Sequence, residues 1–133
     1  MRLVNLESIK RLTISQPRFE RFISVKSLSE IKTWCYLRVL DLCNNSIGNF
    51  GIKCLSQSPI LKTLVTLYLH RNHIGDDEVK DLSESLFLSN LKMLNLAENY
   101  ITDEGISKLS ESRIITYLEM LDLKMNSIGW KGA

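Results

Sequence analysis

A step of 27 residues runs through this chain and constrains its fold more than any other feature. Leu37, Leu40, Leu42, Asn45 and Ile47 recur as Leu64, Leu67, Leu69, Asn72 and Ile74, then as Leu91, Leu94, Leu96, Asn99 and Ile101, and again as Leu118, Leu121, Leu123, Asn126 and Ile128. A fixed period of this size means one supersecondary unit stacked on copies of itself, none of which buries its apolar face alone. Within each unit the closely spaced leucines follow the period of a strand, so they face the core and the residues between them face outward. Thr102, Asp103 and Glu104 then open a segment with Ile106 and Leu109 three apart, and Asp76, Asp77 and Glu78 do the same one period earlier. A polar cap and acids suit a helix amino terminus. Each unit therefore reads as strand, sharp turn, helix.

The L-x-x-L-x-L-x-x-N-x-I spacing resembles the leucine-rich repeat family, and the tails IGDDEVKDL and ITDEGISKL resemble its ribonuclease-inhibitor-like class. The resemblance implies an α/β fold, a leucine-rich repeat solenoid forming a right-handed superhelix with a concave parallel β-sheet and convex helices. Residues 1–133 read as a single leucine-rich repeat domain, with a degenerate opening repeat over 1–36, full repeats over 37–63, 64–90 and 91–117, and an incomplete repeat over 118–133. The last strand would lack a covering unit, and exposed apolar edges invite pairing. The expectation is a truncated piece of a longer array, or an end covered by another molecule.

In the opening repeat Ile9, Leu12 and Ile14 keep the strand spacing, while Pro17 stands where Asn is expected and Phe19 replaces the isoleucine. The four asparagines have a mechanical reading. An amide both donates to and accepts from backbone groups that would otherwise be buried unpaired, at about 1–3 kcal/mol per group. Ile47, Ile74, Ile101 and Ile128 are expected to close the core. The LSxS steps at Leu55–Ser58, Leu82–Ser85 and Leu109–Ser112 are expected at exposed convex helix ends, and Trp34 and Trp130 as core or end-cap aromatics.

Composition narrows the function. The formal charge of +2 is too small to argue for nucleic acid. It is uneven, however: residues 1–38 hold eight Lys/Arg against three acids. Cys35, Cys43 and Cys54 are odd in number without C-x-x-C spacing, so neither a disulfide framework nor a zinc knuckle is expected, and a reducing, cytoplasmic location fits. No apolar run approaches the roughly eighteen residues of a spanning helix. Neither a phosphate loop nor a dinucleotide fingerprint occurs, and His70-x-x-His73 has no third histidine to complete a metal site. No cofactor, metal, membrane or small-molecule substrate is expected, and no enzyme activity.

Partner binding is the remaining reading. Stacked strands set the outward residues in columns about 4.8 Å apart. One column is Thr13, Asp41, Tyr68, Asn95, Asp122; another is Arg11, Val39, Thr66, Met93, Met120; His70 and Arg71 follow the third strand. Tyr, Arg and Met are enriched at protein interfaces. Asp41, Tyr68, His70, Arg71, Met93, Asn95, Met120 and Asp122 are accordingly expected to bind a protein partner on the concave face. A different reading takes the chain as a fragment of a regulatory repeat protein, a small-GTPase activator or ubiquitin-ligase substrate receptor, with Arg71 acting on the GTPase. A third pairs Cys43 with His70 as a thiolate and imidazole dyad.

Overall fold

The computed structural model describes residues 9–14 and 36–130. Most of the expected opening repeat, with Pro17, Phe19 and Trp34, lies outside them. Strand β1 (Arg11–Thr13) is followed by β2 (Val39–Asp41), α1 (Gly48–Ser56), a 3-10 turn over Pro59–Thr63, β3 (Thr66–Tyr68), α2 (Asp76–Ser83), β4 (Met93–Asn95), α3 (Asp103–Ser110), the short α4 (Arg113–Tyr117) and β5 (Met120–Asp122). The strands form one parallel sheet in chain order. Leu12, Leu40, Leu67, Leu94 and Leu121 align across it, so the periodic leucines set the register. This is an α/β repeat fold.

The strands are three residues long, yet the parallel ladder continues beyond them. Leu69 N donates to Asn95 O at 2.9 Å and Arg71 N to Ala97 O at 3.2 Å. The central leucine of β2, β3 and β4 is buried and its two neighbours are half-buried. Leu37, Leu42, Leu64, Leu69, Leu91 and Leu96 join them in the core, covered from the helix side by Ile52, Leu55, Val79, Leu82 and Leu109. Ile74 and Ile101 close this core fully, whereas Ile47 and Ile128, in the outer repeats, are half-buried. Leu121 and Leu123 are half-buried because β5 is the edge of the sheet.

The asparagines do what their chemistry allows. Asn72 Oδ1 accepts from Asn45 N at 3.0 Å and Ile47 N at 3.3 Å, while Nδ2 donates to Leu42 O at 2.8 Å and Leu69 O at 3.1 Å. Asn99 repeats this one step on, and Asn126 donates to Leu96 O and Leu123 O, both at 2.9 Å. Each amide pairs two neighbouring repeats as well as closing its own turn.

A second staple joins the helix starts. Asp76 Oδ1 accepts from Thr102 N at 2.9 Å and Gly105 N at 3.0 Å, and Oδ2 accepts from Thr102 Oγ1 at 2.6 Å. Asp103 Oδ1 accepts from Gly129 N at 2.7 Å in the same manner. Gly105 makes this approach possible, since a Cβ there would sit 2.3 Å from Asp76 Oδ1.

The first LSxS step requires a correction. Ser56 and Ser58 are buried. Ser56 Oγ donates to Lys53 O at 2.9 Å, and Ser85 Oγ donates to Ser56 O at 2.6 Å across the repeat boundary. Small hydroxyls sit here because helix-end carbonyls need donors where the repeats close on each other. Trp130 is 85% exposed, so of the two places expected for it the core is not the one it takes.

Candidate functional site

The open face of the sheet is built by register. Asp41, Tyr68, Asn95 and Asp122 occupy one aligned position, and Val39, Thr66, Met93 and Met120 another. Six of the eight expected residues therefore lie within strands on one face, with His70 and Arg71 just past the end of β3. Met93 is half-buried, whereas Met120, on the edge strand, is 56% exposed.

Three of these side chains are partly occupied locally. Asp41 Oδ1 accepts from Cys43 N at 3.1 Å, Asn95 Oδ1 from Ala97 N at 3.0 Å, and Asp122 Oδ1 from Lys124 N at 3.1 Å. Each folds back on the backbone two residues ahead and steers the chain out of its strand. Tyr68 breaks this series and presents a ring instead. Its ring meets His70 edge-on, with centroids 6.3 Å apart and planes at 84°. His70 Nδ1 is enclosed, with no hydrogen-bond partner among the described residues.

Arg71 Nε donates to Glu98 Oε2 at 2.7 Å, and both residues have left-handed backbone, at φ 59° and 54°. Asn44 and Met125 hold the same conformation at the equivalent positions. Glu98 raises the Arg71 pKa through that hydrogen bond and its charge. The sequence offered a signal for this pair, because Glu98 stands one period after Arg71. The pairing of His73 with Tyr100, also one period apart, was not among the expectations. Their rings stack at 5.5 Å and 7°, and Tyr100 is exposed. On the helix side a groove of about 150 Å³ between Leu86, Ile114, Arg113 and Tyr117 had no warning in the pattern.

The Cys43 and His70 dyad is not supported by this geometry. Burial, first, then the hydrogen bond that the thiol donates to Asp41 and the Asp41 charge, raise the Cys43 pKa. A catalytic thiol needs the opposite environment. No hydrogen bond joins the two side chains among the described residues. Nor, among those residues, does any group of three or more His, Cys, Asp or Glu gather as a metal set, and no helix is long and apolar enough to cross a membrane.

Two family matches agree with this repeated geometry. The Leucine Rich Repeat family matches residues 36–58, which span β2 and α1, and a second Leucine Rich repeat family matches 87–110, which span β4 and α3. Among curated proteins, no relative matches the chain. Repeats of this family generally mediate protein–protein interaction and are typically non-enzymatic. The two matched stretches carry the same strand, turn and helix, and over them the chain is similar to leucine-rich repeats.

Proposed function

We propose that this chain is a protein-interaction module, with residues 1–133 acting as one repeat domain whose strands curve into a solenoid and whose concave sheet face docks a protein partner. The observation that carries the reading is the register. Outward residues of four consecutive strands lie side by side on a backbone that Asn45, Asn72, Asn99 and Asn126 hold by hydrogen bonds between repeats. A surface held in place before binding loses little ordering entropy on docking. Tyr68, Met93 and Met120 supply large anchors, and Asp41, Arg71, Asn95 and Asp122 supply polar ones, beside His70. The helices that follow β2, β3 and β4 favour the ribonuclease-inhibitor-like class. Free Cys43 and Cys54 favour a reducing, cytoplasmic setting.

Arg71 as a group acting on a small GTPase draws no support from the geometry, because its Nε is engaged by Glu98. The test of the main reading is capture from a lysate by the chain and by a Tyr68→Ala, Arg71→Ala, Met93→Ala variant, each first verified as folded by circular dichroism. Partners retained only by the unaltered chain support the open face, and identical capture by both counts against it.

A further inference from the structure

Four cations flank the open face at the amino-terminal side of the strands. Arg11 begins β1, and Lys10 and Arg38 align just ahead of β1 and β2, where Arg38 N donates to Lys10 O at 2.8 Å. Arg38 Nη1 reaches Thr63 O at 3.3 Å, next to Lys62 in the turn before β3. All four side chains are exposed.

None of the four belongs to an ion pair among the described residues. The pairs found there are Arg71 with Glu98, Lys80 with Glu84, Lys92 with Glu119, and Lys108 with Glu104. The acids gather at the opposite side, where Asp76, Asp77 and Glu78 start α2 and Asp103 and Glu104 start α3. The rim where β1 to β3 begin is thus positive, Glu119 ahead of β5 ends the same row with an acid paired to Lys92, and the helix starts beyond the strand ends are negative.

We propose that this basic rim receives an acidic stretch of the polypeptide partner, a proposal that rests on the open face being the partner surface. Complementary charge steers encounter and fixes orientation. An acidic segment entering along the Lys10, Arg38 and Lys62 side meets attraction, whereas the helix starts repel it. A nucleic acid fits less well, because its charge recurs at every phosphate and its path over the sheet meets Asp41 and Asp122. A polypeptide places its acids on the rim and its apolar residues against Val39, Tyr68 and Met93.

The probes are fluorescein-labelled polyglutamate and an oligothymidylate of equal charge, titrated by fluorescence anisotropy into the 133-residue chain. Two variants, Arg11→Gln with Arg38→Gln and Lys10→Gln with Lys62→Gln, are used because removing exposed cations leaves the core untouched. Polyglutamate is expected to bind, to weaken roughly tenfold in either variant, and to weaken further between about 50 mM and about 300 mM salt. Failure of polyglutamate to bind, or binding indifferent to both variants, overturns the proposal. So does tighter binding of oligothymidylate that the same variants abolish. Partners lost by the Tyr68, Arg71, Met93 variant but kept by both rim variants would overturn the acidic partner while leaving the open face in place.

Discussion

Asn99 holds Asn72 in place: its Oδ1 accepts from the Asn72 backbone N at 3.0 Å, and Asn72 does the same for Asn45. The asparagine of one repeat therefore sets the turn of the repeat before it. Asn99 is buried, and its Oδ1 also accepts from Ile74 N at 2.9 Å. Asn99→Ala leaves those backbone groups without partners, at about 1–3 kcal/mol each. Denaturant unfolding should show a loss of roughly 2–5 kcal/mol, with Asn126→Ala costing less because Asn126 is half-buried.

The two faces of β3 and β4 should separate cleanly. Leu94 is fully buried, so Leu94→Ala should cost about 2–5 kcal/mol. Tyr68 stands on the open face, and Tyr68→Ala should cost under about 1 kcal/mol. Denaturant midpoints in the reverse order would mean that the faces have been misassigned.

The Asp76 staple gives a pH dependence. Burial opposes ionisation of this carboxyl, but hydrogen bonds from the Thr102 hydroxyl and from the Thr102 and Gly105 backbone outweigh it and hold the pKa below the ordinary value. A folded pKa lower than the unfolded one gives stability that is present above the unfolded value, about 3.9, and lost as pH falls through the folded value. Thermal melts of the unaltered chain should therefore fall more steeply below about pH 4 than those of Asp76→Asn. Parallel profiles would count against the staple. Gly105→Ala should destabilise at every pH, since its methyl group would displace the Asp76 carboxylate.

Met125 is exposed and left-handed at φ 56°. A residue with a side chain tolerates that conformation poorly, and Asn more readily than Met. Met125→Asn should raise stability by about 0.5–1 kcal/mol, read as an upward shift of the denaturant midpoint, and an unchanged or lower midpoint would contradict the strain argument.

The Cys43 thiol should react slowly. With its pKa raised by burial first and by Asp41 second, its alkylation rate should rise only in the alkaline range, above that of a free cysteine. Asp41→Asn should shift the rate profile toward lower pH. A thiol already reactive at neutral pH would revive the dyad with His70.

The strands, their register and the asparagine turns were legible because a leucine two residues from another must share its face, and four copies 27 residues apart leave one way to stack them. The columns of the open face followed from the same count, as the alignment of Asp41, Tyr68, Asn95 and Asp122 bears out. What the pattern did not carry was the second use of each polar group. Asp41 turning back onto Cys43 N, Asp76 reaching the next helix, and Ser85 capping Ser56 O are contacts of side-chain reach, not of period. The burial of Ser56 and Ser58 was hidden for a related reason, because polarity argues for solvent until the helix-end carbonyls beside it are located.

The central claim is that the open face of the sheet binds the partner, and the most direct measurement compares two surfaces with one captured partner. Its affinity should be measured for Tyr68→Ala with Met93→Ala on the open face, and for Leu86→Ala on the helix side, where Leu86 is 86% exposed. With folding equal by circular dichroism, the open-face variant is expected to lose at least roughly tenfold in affinity, as anchor truncation does, and Leu86→Ala to lose nothing. Full affinity in the open-face variant together with a loss in Leu86→Ala would contradict the account and move the partner to the helices.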